Sequence, residues 1–342
     1  MRRVSRSFSF LAVAGAIWLA CADNAGAPAV ERGDPPSAVL SNGLRRGVNI
    51  LGYDGLWKGE IDAPFRMSDF ETIRSAGFDH VRVNFFGFRY MDSKNRLDEA
   101  VLLRLDKVLD TAEANDLNVV LDQHDNEMCQ SVPEKCKAKL ASFWRQIAAR
   151  YAGKRPRVVY ELLNEPGGGM SAAQWNEALA AGLAEIRARE PSRRVVVAAL
   201  NLDDPRAIEQ LRLPDADRNL IVTIHYYHPY SFTFQGASWA QQEFANAHGV
   251  AWGTERERAR VAEDLAIVAD WARPRGLAVY LGEFGVYDEA PPKSRLAWTR
   301  HVAKTAESFG WAWCYWQFDH DFALFDSATG AWNRPLLEAL TK

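Results

Sequence analysis

An α/β fold, a single (β/α)8 TIM barrel of parallel strands with helices packed outside, is what the sequence predicts. Three observations lead to it. Short β-branched runs recur eight times from Arg45 onward. Segments of helical period separate most of them, the pattern of parallel βαβ units. The repeating part covers about 300 residues, against the ~250 plus insertions usual for a closed barrel. An open doubly wound sheet is the alternative, but no Gly-x-Gly-x-x-Gly follows the first strand.

The chain begins with Arg2, Arg3 and Arg6, runs through apolar residues from Phe8 to Ala20, and reaches small residues at Ala20-Cys21-Ala22. Residues 1–22 therefore read as a secretory signal, whose apolar part is too short to span a bilayer comfortably. Trp18-Leu19-Ala20-Cys21 also resembles a bacterial lipobox, with Cys21 as the lipidated residue. Free secretion and a surface lipoprotein both stay open. Residues 23–42, rich in Ala, Gly, Pro and Asn, read as a flexible spacer, and 43–342 as the catalytic barrel. In an oxidising compartment Cys129 and Cys136 can form a local disulfide, while Cys314, inside an apolar strand, is expected as a free buried thiol.

Strands are expected at Gly47–Leu51, His80–Asn84, Asn118–Asp122, Val158–Leu163, Arg194–Ala199, Leu220–His225, Ala278–Gly282 and Ala312–Trp316. Helices are expected at Ser68–Ala76, Glu99–Ala114, Glu134–Tyr151, Ser171–Glu190, Pro205–Leu211, Glu255–Ala272, Lys293–Phe309 and Arg334–Leu340. Ser68 followed by Glu71 has the form of a capping box, with Gly77 as the helix stop. Ser171 opens the fourth helix and Pro191 follows its end. The long interval after the sixth strand puts 228–252 in an extended loop on the active face.

A formal net charge of −3 gives no electrostatic reason to expect nucleic acid. A neutral ligand fits better, and 12 Trp, 10 Tyr and 17 Phe supply flat rings that can stack on sugar faces. A monomer without cofactor is expected. In a barrel of this kind, polar residues at C-terminal strand ends converge on one mouth. These are Arg82, His124, Asn164, Glu165, His225, Tyr227, Glu283 and Trp316. Glu165 stands before Pro-Gly-Gly-Gly after the fourth strand and Glu283 before Phe-Gly at the seventh. Splitting a glycosidic bond needs such a pair, one carboxyl as proton donor and one to attack or to activate water. Each has a dull rival as a salt-bridge partner; Arg82 taken singly reads equally well as an interior salt bridge, and His124 taken singly reads more readily as a hydrogen-bonded structural histidine. His225 and His228 do not make a metal site, because a three-residue step along a strand points their side chains to opposite faces. Glu161 is expected to be structural, and Asp319-His320-Asp321 to be solvated loop or subsite edge.

At these residues the chain resembles glycoside hydrolase family 5, the family of many cellulases, in a clan that carries its two glutamates on strands four and seven. Asn-Glu-Pro at 164–166, Gly-Glu-Phe-Gly at 282–285, Leu-Asp-Gln-His at 121–124, His-Tyr-Tyr at 225–227 and Tyr-Trp-Gln-Phe at 315–318 carry the resemblance. It implies a retaining mechanism with Glu165 as acid/base and Glu283 as nucleophile. It further implies that Arg82 and Tyr227 hold Glu283, that Asn164 meets the sugar 2-hydroxyl, that His124 and His225 tune Glu165, and that Trp316 floors the subsite. The loop 227–239 resembles those of members acting inside β-1,4-glucan chains, which implies an endo-β-1,4-glucanase acting on polysaccharide. Trp57, Phe86, Tyr230 and Trp239 are expected to stack on further sugars. A β-mannanase, a mixed-linkage glucanase or another β-glycan hydrolase on the same frame, or outside the class a sugar-binding barrel without turnover, are the competing expectations.

Overall fold

The computed structural model describes residues 43–60 and 63–342; the signal segment, Cys21 and the spacer lie outside the described residues. Eight strands form a closed barrel in chain order: β1 Arg46–Ile50, β2 His80–Phe85, β3 Asn118–Gln123, β4 Val158–Glu161, β5 Val195–Ala198, β6 Leu220–Tyr226, β7 Ala278–Phe284 and β8 Ala312–Tyr315. Every neighbouring pair is parallel, and β1 closes on β8. The expected strands are all present, within two residues at either end. Long helices lie at Glu99–Ala114, Pro133–Tyr151, Ala172–Arg187, Glu255–Ala272 and Pro292–Ser308.

Alternation along the strands sorts side chains into two environments. Val119 and Leu121 of β3 join the large core under the helices, whereas Val120 joins a smaller cluster inside the barrel with Val159, Val196, Ile221, Tyr280 and Cys314. The inward set turns polar toward the C-terminal ends, where Asn49, Arg82, Glu161 and His225 are all buried. The lower layer of the barrel is mostly apolar, with His80 bonded to the Tyr280 hydroxyl at 3.1 Å, and the upper layer carries the charge.

Strand β7 breaks the alternation. Its register against β6 runs Ile224↔Leu281 and then His225↔Glu283, so Gly282 is an extra residue. A bulge of this kind re-aims the residue that follows. Glu283 now lies opposite the inward His225 instead of facing the helices. The extra position has to be glycine, since a Cβ there would sit 2.6 Å from Thr223 Oγ1 and 3.0 Å from His225 Nε2.

Three expectations need correction. The β5–β6 connection holds no full helix, but a four-residue turn at Leu200–Asp203 and a 3-10 segment at Pro205–Gln210 begun by Asp204, whose carboxylate accepts from Arg206 N. Ser68 makes no side-chain capping bond, because it already has helical dihedrals; Asp69 Oδ2 instead accepts from Arg66 N at 2.7 Å. And the interval 228–252 is not a plain loop but contains short helices at Tyr230–Thr233 and Gln242–Ala245. Cys129 and Cys136 are disulfide-bonded and Cys314 is free and buried.

The true capping box is at Ser171, which accepts from Gln174 N while the Gln174 side chain accepts from Ser171 N. Ser171→Ala is therefore expected to cost about 1 kcal/mol in urea-unfolding free energy, and Ser68→Ala less than about 0.5 kcal/mol. Equal losses at both positions would contradict these cap assignments.

Candidate active site

Arg82 rises from β2 into the barrel mouth with no exposed surface. All five guanidinium N–H groups can be assigned an acceptor. Nε donates to Glu161 Oε2 (2.8 Å) and Nη2 to Glu161 Oε1 (2.9 Å) and Asn164 Oδ1 (2.9 Å). Nη1 donates to Asn49 Oδ1 (2.9 Å) and Glu283 Oε1 (2.6 Å). Asp122 Oδ2 lies 3.0 Å from Nη2 as well. A planar fork with five fixed donors matches this set, which an ammonium does not. Asn49 ties the assembly to β7, its Nδ2 donating to Gly282 O at 3.0 Å. Glu161, expected as structural, is the bidentate partner.

Glu283 is held at both oxygens, by Arg82 at Oε1 and by the Tyr227 hydroxyl, which donates to Oε2 at 2.9 Å. Burial, with Glu283 beside it, pushes the Tyr227 hydroxyl well above its ordinary pKa, so it stays a donor.

Glu165 sits four residues past the end of β4, with φ at +42°. Non-glycine residues reach this left-handed region only when their surroundings impose it. Here Gln130 Nε2 (3.0 Å) and Asn126 Nδ2 (3.3 Å) donate to the Glu165 carbonyl, and Asn164 N donates to Gln123 O at 3.0 Å. The side chain is 25% exposed, toward the groove. Desolvation at the barrel mouth pushes its carboxyl up to about 7, with Arg82 pulling the other way. Its Oε1 lies 2.9 Å from His225 Nδ1. One ligand-type oxygen of Glu165 and one of Glu283 lie within 4.8 Å of each other and of His225.

Burial drives the His225 imidazole down to about 4 and that of His124 likewise to about 4, so both are neutral at pH 7. His124 Nδ1 bonds Asp122 Oδ2 at 2.6 Å, and its ring stacks on Trp316 with centroids 5.6 Å apart and planes 6° apart. Trp316 in turn clusters with Tyr227 and Phe322. Trp239 stands farther out, 38% exposed, its indole N–H donating to Asp321 Oδ2 at 3.1 Å. Asp321 thus anchors the exposed indole. His228 turns away from the centre, 3.6 Å from Asp204 and ring to ring with Tyr230.

Trp57 has to be withdrawn as a sugar platform. The loop after β1 folds back over β2, where the Trp57 indole donates to Asn84 O at 3.0 Å, packs on Phe85, and keeps only 1% of its surface. Phe86 is also buried, under Tyr53. Sequence reasoning passed over Tyr53, which is 66% exposed with an edge toward Trp316. It likewise passed over Asp203, 3.2 Å from His225 Nε2. Both are polar residues just past a strand end, so the rule that found the others applied to them too.

Glu165, His225 and Glu283 together offer ligand-type atoms to a metal. Each is already engaged within the network, and Arg82 on Glu283 opposes a second cation there.

The family model described as Cellulase (glycosyl hydrolase family 5) matches residues 42–321. Endoglucanase H of Acetivibrio thermocellus is 25% identical over 90% of this chain, which spans only 33% of that relative's length. Among solved structures, the cellulose synthase subunit Z of Clostridioides difficile is 33% identical with a TM-score of 0.82, covering 87% of this chain and 100% of that one. Thermotoga maritima Cel5A, solved with cellobiose and with mannotriose, is 31% identical with a TM-score of 0.81, covering 87% of this chain and at least 97% of its own.

Removing the guanidinium leaves buried carboxylates without a cation, so Arg82→Leu is expected to lower stability by about 3–5 kcal/mol. Burial already raises Asp122 to about 6 and lifts Glu161 above its usual range, and without Arg82 both rise further. A carboxyl raised in the folded state stabilises below its unfolded pKa, and that contribution disappears as pH climbs through the folded value. The loss in Arg82→Leu should therefore be larger at pH 8 than at pH 5 in urea titrations. An equal loss at both would contradict the charge assignment.

Proposed function

The chain belongs to glycosyl hydrolase family 5, and on that premise we propose that it is an endo-acting, retaining hydrolase of β-1,4-glucan chains, with Glu165 as acid/base and Glu283 as nucleophile. The observation that carries the retaining reading is the approach of the two carboxyls, whose oxygens come within 4.8 Å. An inverting pair stands about 6.5–9.5 Å apart to admit a water.

In the first step a Glu283 oxygen attacks the anomeric carbon and the glycosidic bond breaks, while the leaving oxygen takes the proton of Glu165. In the second, a water oxygen attacks the same carbon, Glu165 takes the water's proton, and the Glu283 ester bond breaks. Arg82 and Tyr227 keep Glu283 aligned as a carboxylate. A Glu165 carboxyl raised to about 7 suits a group that must give a proton and then take one near neutrality. Asn164, its amide oxygen fixed by Arg82, offers its N–H groups to the sugar 2-hydroxyl, where a hydrogen bond strengthens as the oxocarbenium-like state forms. Trp316 floors the reacting subsite, and the exposed rings of Tyr53 and Trp239 extend binding along the chain.

Glucan is favoured because Endoglucanase H is among the relatives. Mannan is the second reading, because Thermotoga maritima Cel5A has been solved with mannotriose as well as cellobiose. The export signal read at residues 1–22, with cleavage or with lipidation at Cys21, would bring the barrel to the polymer, and the Cys129–Cys136 disulfide supports an oxidising compartment.

Glu165→Gln and Glu283→Gln are each expected to lower kcat on carboxymethylcellulose by about a thousandfold or more with the melting temperature retained. Near-wild-type turnover in either would end the assignment. Because the first step needs protonated Glu165, kcat/KM on a cello-oligosaccharide should fall as pH rises through about 7. On a panel of carboxymethylcellulose, barley β-glucan and mannan, kcat/KM should be highest on the glucans; a preference for mannan would transfer the substrate assignment to it.

A further inference from the structure

The turn after β5 carries three consecutive residues with positive φ, Asn201 (58°), Leu202 (62°) and Asp203 (59°). Such a run persists only where the surroundings over-determine it. Leu202 N donates to Pro166 O at 3.1 Å, so the turn is clamped to the segment that carries Glu165. The outcome is that Asp203 is fully buried, with Oδ2 3.2 Å from His225 Nε2. The opposite ring nitrogen, Nδ1, lies 2.9 Å from Glu165 Oε1.

Among the described residues, Asp203 alone has both carboxyl oxygens buried without a hydrogen-bond partner, and His225 Nε2 is buried in the same condition. The two face each other at hydrogen-bonding distance but off alignment, as catalytic contacts often are before substrate binds. No other donor among the described residues reaches either oxygen. A buried carboxylate without donors is unstable as an anion. The charged neighbours reinforce this: Glu165 after β4, Glu161 in β4 and Glu283 in β7 oppose ionisation of Asp203, against Arg82 in β2, which favours it. Burial, the largest effect, pushes Asp203 well above the usual carboxylate range.

We propose that Asp203 is a positioning residue for the acid/base. As a neutral acid it donates its O–H to Nε2 of His225, fixing the imidazole in the tautomer that donates Nδ1–H to Glu165 Oε1 and leaving the transferable proton of Glu165 on Oε2, toward the substrate. The inference rests on reading Glu165 as the acid/base. No proton moves through the relay. When Glu165 has given its proton to the leaving oxygen, the Nδ1–H already in place stabilises the carboxylate that remains. The opposite tautomer would present a lone pair to Glu165 and draw its proton away from the leaving group.

The test compares Asp203→Ala with Asp203→Asn, both screened by thermal melting, on a cello-oligosaccharide between pH 5 and 9. In Asp203→Ala the freed imidazole can turn its Nδ1 lone pair toward Glu165. We expect kcat to fall about tenfold and the basic limb to move up by about half a pH unit. Asp203→Asn restores an N–H donor to Nε2, so kcat should recover at least about fivefold over Asp203→Ala and the limb should return. A limb that moves down in both variants would mean that Asp203 is an ionised partner and would overturn the proposal. So would a drop in kcat with the limb unmoved, the mark of a merely structural role. Independently of turnover, imidazole nitrogen-15 shifts of His225 in the wild-type protein should report the proton on Nδ1; a proton on Nε2 refutes the relay. Glu165→Ala with full activity on polysaccharide would remove the acid/base reading instead, and the tautomer measurement tells that failure from the other.

Discussion

One guanidinium among four strands' worth of polar side chains is the constraint on which the site depends. Arg82 donates to residues of β1, β4, the β4 lip and β7, and Asp122 of β3 stands 3.0 Å away. Because it is the one fully buried arginine among the described residues, it cannot neutralise Asp122, Glu161, Glu283, Glu165 and Asp203 together. Some of these must hold protons. Those with the fewest donors hold them most firmly, which is why Asp203 rises so far and Glu165, a quarter open to the groove, reaches about 7. Two carboxyls of the same type are set apart by their partners, Glu283 held by Arg82 and Tyr227 and Glu165 by His225.

The backbone supplies what side chains cannot. Glu165 stands on a left-handed residue held by Gln130 and Asn126, Asp203 on a run of three such residues, and Glu283 beyond a bulge. Each departs from regular strand geometry within a few residues of the barrel lip. A regular barrel would offer only alternate strand residues to its mouth. The departures bring carboxyl groups into positions that alternation alone does not reach, and the apolar layer below them keeps the frame rigid.

The barrel was legible because eight β-branched runs alternate with helical periods, and burial on both faces of a parallel strand demands such runs. The paired glutamates, Arg82, His124, Asn164, His225, Tyr227 and Trp316 were legible by one rule, polar residue at a strand's C-terminal end. Trp57 was misread because position in a loop does not say whether the loop folds back, and its indole found a backbone carbonyl beneath. Ser68 was misread because a capping box depends on the dihedral of its first residue, which the pattern does not encode. Tyr53 and Asp203 owe their placement to positive φ at residues that do not advertise it. The strand-end rule could reach both, but it does not say which way such a residue points, and that is set by tertiary contacts made far along the chain.

The extra glycine in β7 also bears on how such a site can be lost. Deleting Gly282 would change no functional group, yet it would shift the phase of the strand by one and turn the Glu283 carboxylate outward to the helices. A descendant chain could thus be silenced with every motif residue still spelled out in its gene. Counting residues between landmarks, and not only identifying them, is what separates a working copy from an inert one.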